Sequence, residues 1–320
     1  MRKYVLLIAI VVSCLCVQAQ KPQTARFRVI GYLRLQNILD AEANQIDYSK
    51  VTHINVAFIN PDSTGNFALI PGLKVFVDRI HQQHIKILAS IGGGLAPTYY
   101  SNLLTDANRE AFTQKLAELT GLYGLDGIDV DLEGERIDAN YENFIMALSD
   151  ALKSKDKLLT AAVATVYKAR YTDKALARFD FINIMSYDKT GPWRPEKPGP
   201  HAPYSMAVED MNYWATEKGI AKERLNLGIP FYGYGFGPNA PAEMSFRGII
   251  SKYSGAEKTD SVSFTGGGTL YYNGIPTIKN KTTLALQQAG GIMIWQLLQD
   301  APGTNSLLNA VNSVIKSQEK

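Results

Sequence analysis

Eight short apolar runs with strand character recur along the chain, separated by longer segments in which apolar residues return at helical spacing. No other feature constrains the fold as strongly. The runs cover residues 27–33, 52–59, 85–91, 126–133, 158–164, 181–187, 225–231 and 291–297. Between them, residues 72–83, 107–122, 140–153 and 206–218 have the periodicity of helices with one buried face. Strands alternating with helices point to the α/β class and a parallel sheet covered by helices. Eight such units fit closure into a (β/α)8 TIM barrel better than a doubly wound open sheet. The length of 320 residues is compatible, since such barrels take about 250. The longest connection separates the seventh and eighth runs. Its Gly-, Ser- and Thr-rich stretch 245–269 reads as a small insertion, a hairpin over one side of the barrel mouth.

The first residues suggest a leader. Arg2 and Lys3 precede an apolar run over residues 4–12 and a small-residue exit, Val17-x-Ala19, where cleavage is expected. The run is too short to span a bilayer. The alternative is a lipoprotein box, Val11-Val12-Ser13-Cys14, with Cys14 lipidated. The expectation is a secreted or periplasmic protein, or an outer-membrane or cell-surface lipoprotein if Cys14 is lipidated. Residues 20–320 are then one (β/α)8 domain, expected to act as a monomer. The only two cysteines, Cys14 and Cys16, lie in the leader, so cleavage leaves neither a disulfide nor a thiolate metal site. Net charge is +3 and no Lys/Arg run forms a nucleic-acid patch.

The fourth run reads Asp126-Gly-Ile-Asp129-Val-Asp131-Leu-Glu133. Side chains alternate along a strand, so Asp129, Asp131 and Glu133 share one face while Ile128, Val130 and Leu132 share the other. In a parallel barrel the aliphatic face packs beneath the helices and the acids point inward. Buried carboxylates are costly unless protons, hydrogen bonds or a ligand compensate. Neighbouring carboxyls raise one another's proton affinity, and Glu133 lies nearest the C-terminal barrel end, where active sites sit. Glu133 is thus the natural general acid. Asp129-x-Asp131-x-Glu133-Gly134 also resembles the start of a calcium loop, but its twelfth position is Asn140 and it sits in a strand pattern. A third reading, three solvated surface acids, requires an open sheet with one wet face.

These residues resemble the signature of family 18 glycoside hydrolases, the chitinase family. Ser90-Ile-Gly92-Gly93 resembles the family's strand-three motif and Met185-Ser-Tyr187-Asp188 its strand-six motif. Leu227-Gly-Ile-Pro-Phe-Tyr232-Gly and Gly291-Ile-Met-Ile-Trp295 resemble strands seven and eight. The resemblance implies retaining, substrate-assisted hydrolysis of β-1,4-linked N-acetylglucosamine in chitin or chitooligosaccharides, without cofactor or metal. The sugar's own acetamide oxygen attacks the anomeric carbon. Glu133 protonates the leaving oxygen and then activates water. Asp131 orients the acetamide, Asp129 shares its proton from below, and Tyr187 donates to the acetamide oxygen. Trp295 resembles the floor of the cleavage site, and Met185 and Asp188 belong to the strand-six motif.

Other assignments are weaker. Tyr32, Phe58 and Tyr232 fit either substrate contact or barrel core, and Trp193 fits a leaving-side platform. Asp126, Ser90, Gly92 and Gly93 read as structural parts of their motifs. A phosphate loop at Gly92–Gly94 lacks the Lys-Ser/Thr that should follow. His53 and His81 read as structural, and His201 is a loop residue with no partner evident. Two rival functions share the acetamide chemistry or the fold. One is an endo-β-N-acetylglucosaminidase acting on N-glycan cores or peptidoglycan. The other is a non-catalytic chitin-binding lectin, which the presence of all four catalytic-type residues disfavours.

Overall fold

The computed structural model describes residues 26–318; the expected leader and Cys14 lie outside them. The chain begins with strand β1 (Arg28–Arg34), β2 (His53–Ala57), helix α1 (Leu73–His81), β3 (Lys86–Gly92), the single turn α2 (Tyr100–Leu103) and α3 (Arg109–Tyr123). It continues through β4 (Gly127–Asp131), α4 (Tyr141–Lys153), β5 (Leu158–Val163), α5 (Asp173–Arg178), β6 (Phe181–Ile184), α6 (Tyr204–Met211) and β7 (Leu225–Pro230). After β7 come β8 (Tyr232–Phe236), β9 (Glu243–Ser245), α7 (Phe246–Lys252), β10 (Ser261–Ser263) and β11 (Thr269–Tyr271). The last elements are α8 (Ile275–Gln288), β12 (Gly291–Trp295) and α9 (Leu307–Gln318).

Strands β1 to β7 and β12 close into a parallel barrel in the order β1-β12-β7-β6-β5-β4-β3-β2. All eight sequence runs supply a barrel strand, most shorter at the ends than the runs themselves, and the open doubly wound sheet is excluded. Alternation divides the strands between two cores. Val29, Leu33, Ile128, Val130 and Leu132 belong to the shell between strands and helices. Ile30, Tyr32, Phe181 and Met293 belong to the interior. Asp129 and Asp131 are 0% and 4% exposed, which overturns the reading of β4 as a wet surface strand.

The insertion is larger than the sequence suggests and starts earlier. It is a four-stranded antiparallel sheet in the order β10-β11-β8-β9, beginning one residue after β7; the hairpin expected in the 245–269 stretch is its β10–β11 pair, to which β8 and β9 are added. Glycines hide β8 in the sequence. A Cβ at Gly233 would lie 2.4 Å from the Tyr271 carbonyl oxygen and one at Gly235 would lie 2.2 Å from that of Pro241. These residues are small because neighbouring backbone fills the space, and they erase the apolar alternation. Helix α8 is hidden for another reason: its buried face includes Lys281 and Thr282 beside Ile278 and Ala285.

Candidate active site

The strand register builds the floor of the site. Ser90 on β3 and Thr160 on β5 lie directly beside Asp129 on β4. Ser90 Oγ and Tyr32 Oη donate to Asp129 Oδ2 at 2.8 and 2.6 Å. Thr160 Oγ1 and Asn183 Nδ2 donate to Asp129 Oδ1 at 2.6 and 3.3 Å. The chain of amides continues downward: Asn226 Nδ2 donates to Asn183 Oδ1 at 3.0 Å, and Arg28 Nε donates to Asn226 Oδ1 at 2.9 Å. Asp129 is therefore a buried carboxyl saturated by donors.

Asp131, two residues on, is in the opposite situation. Its Oδ1 is buried and has no hydrogen-bond partner among the described residues. Burial, then Glu133 and Asp129, raise its proton affinity well above that of an ordinary aspartate. Burial likewise raises that of Asp129 against its four donors. Glu133 continues the strand in extended conformation at the cleft. Burial and the neighbouring Asp188 push its carboxyl up to about 7, against the opposing pull of Arg136. A carboxyl that holds its proton near neutrality can act as an acid and then as a base.

The carboxyls open into a cleft of about 770 Å³ at the C-terminal end of the barrel. Asp131, Glu133, Met185, Tyr187 and Asp188 line it, as do the aromatics Tyr32, Phe58, Trp193, Tyr232 and Trp295. Trp295 stacks on Phe58 with ring centroids 5.6 Å apart and lies 5.4 Å from the tilted ring of Tyr32. The Tyr187 hydroxyl donates to Met293 Sδ at 3.6 Å. Trp193 is 55% exposed and meets Tyr234 edge-on at 5.2 Å. Asp188 sits in the left-handed region, φ 61°, held by the Tyr232 hydroxyl and His201. Such strain persists only where the surroundings over-determine it.

The remaining motif residues shape this arrangement from beneath. Gly92 and Gly93 have positive φ. A Cβ at Gly92 would lie 2.2 Å from the Asp131 carbonyl oxygen, and one at Gly93 would lie 2.4 Å from the Phe58 ring. Glycine here brings β3 against β4 and admits Phe58. Asp126 lies at the opposite end of β4, where Oδ2 accepts from Ile87 N at 2.7 Å and pairs with His81 Nε2 at 2.8 Å. Among the described residues no three His, Cys, Asp or Glu side chains are grouped to hold a metal ion.

Several residues of the site carry no signal in the sequence. Thr160, Asn183 and Asn226 contact Asp129 directly or in series. Each looks like a polar interruption in an apolar strand, and only the register shows that they converge. Tyr167, Asp210, Tyr234 and Glu243 reach the cleft from loops, helix α6 and the insertion. His201, with no partner evident in sequence, is completely buried against Asp188.

A closed parallel barrel with an acid poised near neutrality at its C-terminal mouth, above an aromatic-lined cleft, is the architecture of a barrel glycosidase. The chain belongs to glycosyl hydrolase family 18, whose model matches residues 28–300. The crystal structure of the GH18 chitinase ChiB from the chitin utilization locus of Flavobacterium johnsoniae superposes with TM-score 0.85 at 36% identity, covering 92% of this chain and 96% of that one. Chitinase B of Serratia marcescens is 26% identical over 270 residues, 63% of this chain and 53% of that protein. A chitinase-like effector of Moniliophthora roreri is 29% identical over 232 residues, 62% of this chain and 56% of that protein. The chain spans about half the length of these curated relatives.

Proposed function

We propose that the protein hydrolyses β-1,4-linked N-acetylglucosamine in chitin or chitooligosaccharides, with retention and with the substrate's acetamide as nucleophile. The observation that carries this reading is Asp131. A carboxyl in a cleft wall with one buried oxygen that finds no donor among the described residues is suited to a donor brought by the ligand. An acetamide N–H supplies one, and the contact turns the acetamide oxygen toward the anomeric carbon. The Tyr187 hydroxyl, on the cleft wall, donates to that oxygen in exchange for its weak sulfur acceptor. Glu133 protonates the departing glycosidic oxygen as the acetamide attacks, and takes a proton from the water that opens the resulting oxazolinium ion. Asp131 stabilises the positive charge of that ion, with Asp129 fixed beneath it.

Trp295 serves as the floor under the sugar being cleaved, with Phe58 and Tyr32 bracing it. Trp193 offers a platform to the leaving chain. The apolar leader supports export, with removal after Ala19 or lipidation at Cys14.

The acid form of Glu133 is the active one, and it prevails below a pKa of about 7. We expect kcat/KM on a chitooligosaccharide to fall as pH rises through about 7. A falling limb near 4.5, the value of an unshifted glutamate, would contradict the assignment. Substrate class is tested by incubating chitooligosaccharides, a high-mannose glycopeptide and peptidoglycan in parallel and reading products by mass. Chitobiose and related oligomers from the first substrate alone are the expected result. Cleavage confined to the glycopeptide or to peptidoglycan would replace chitin with those substrates, and sugar binding without products would leave a lectin.

A further inference from the structure

We propose that His201 is a positioning residue that holds Asp188 as a carboxylate beside Glu133, donating from one ring nitrogen to Asp188 and from the other to a backbone carbonyl. The inference rests on Glu133 being the acid. His201 Nε2 lies 3.3 Å from the Tyr232 carbonyl oxygen, which can only accept, so Nε2 carries a proton. Nδ1 lies 3.3 Å from Asp188 Oδ1, and that oxygen already accepts from the Tyr232 hydroxyl. A bare lone pair on Nδ1 would face an acceptor, so the geometry calls for a second proton and a cationic ring. That cation balances Asp188. The ring is 0% exposed and packs 5.0 Å from both Tyr232 and Tyr234, while the Asp188 side chain is 39% exposed toward the cleft, so water screens the pair from one side only.

The loop that carries His201 is built to hold it there. Lys189 N donates to the His201 carbonyl at 2.9 Å, closing the base of the loop that bears Trp193. The next carbonyl, Ala202 O, accepts from Lys281 Nζ at 2.8 Å and Asn273 Nδ2 at 3.0 Å. Lys281 is fully buried on α8 and also donates to Asn273 Oδ1 at 2.9 Å. A buried lysine spent on one carbonyl and one amide is a costly way to fix a loop unless the loop's position matters.

The consequence is electrostatic. Asp188 bears on Glu133, Tyr187, Tyr232 and Tyr234, and Glu243 also bears on Tyr234. Glu133 in turn bears on Asp131 and Tyr167 and is opposed by Arg136. Lys189 pairs with Glu209 at 3.9 Å. Removing the His201 cation leaves the Asp188 charge uncompensated, and Glu133 then binds its proton more tightly.

Two substitutions separate hydrogen bonding from charge. His201→Asn keeps an N–H donor toward Asp188 without a cation, whereas His201→Ala removes both. In both, the alkaline limb of kcat/KM should move upward by on the order of half a pH unit. His201→Asn should nearly retain kcat, and His201→Ala should lose about five- to tenfold. An unmoved or lowered limb in folded variants overturns the proposal. A measurement that needs no variant is ¹⁵N NMR of the wild-type imidazoles at pH 6. Both His201 nitrogens protonated is the expected result, and a neutral ring overturns the proposal. Failure of the wild-type enzyme to cleave any N-acetylglucosamine linkage would instead remove the reading of Glu133, leaving the NMR result to stand by itself.

Discussion

Replacing Glu133 by glutamine lowers kcat on chitooligosaccharides by about 10³-fold or more while leaving oligosaccharide affinity nearly intact. The amide preserves the shape of the carboxyl but cannot deliver a proton to the glycosidic oxygen or take one from water. Binding is read by calorimetry and turnover by product release. The same substitution should make the protein more stable at pH 8. The folded-state pKa of Glu133 is raised from 4.5 to about 7. The native state therefore binds the extra proton in that window, and stability present below about 4.5 is lost as pH rises through about 7. A shift of that size corresponds to about 3 kcal/mol, which glutamine recovers because it never ionises. The gain in Tm at pH 8 should vanish near pH 4. A variant with kcat within tenfold of the parent would remove Glu133 from the chemistry.

Asp131→Asn has the second-largest expected effect, a loss of about 10²-fold in kcat with a smaller change in KM. Asparagine can still accept from the acetamide N–H, but it cannot balance the positive charge of the oxazolinium ion. The two carboxyls should respond differently to the leaving group. From a dinitrophenyl glycoside of N-acetylglucosamine the dinitrophenolate anion leaves without protonation, so this substrate should restore much of the first step in Glu133→Gln. It should restore little in Asp131→Asn, where the deficit lies in the ring and acetamide. Equal rescue of both variants would mean that Asp131 acts only through Glu133.

The barrel and its acid were legible in the sequence because both depend on local periodicity. Eight runs of strand pattern became eight barrel strands, and the period of two along β4 placed Asp129 and Asp131 inside. The insertion was less legible, since the small residues that let β8 pack against backbone are also those that erase a strand pattern. Helix α8 carries no clear signal because Lys281 and Thr282 occupy its buried face, where their polar groups are satisfied internally. The donors around Asp129 could not be read in advance. Tyr32, Ser90, Thr160 and Asn183 come from four strands, and only barrel closure and register bring them to one carboxyl. His201 shows the same limit: it lies 13 residues from Asp188, and the contact depends on how the loop between them is closed.

The central claim is that the substrate supplies its own nucleophile. It is tested most directly by assaying a chitooligosaccharide and a cellooligosaccharide of equal length side by side, with the same enzyme, pH and detection of released ends. The two sugars share the β-1,4 linkage and differ in the 2-acetamido group. Turnover of the chitooligosaccharide with none detectable for the cellooligosaccharide is the expected result. Comparable turnover of both would show that a group of the protein performs the attack and would contradict the substrate-assisted mechanism.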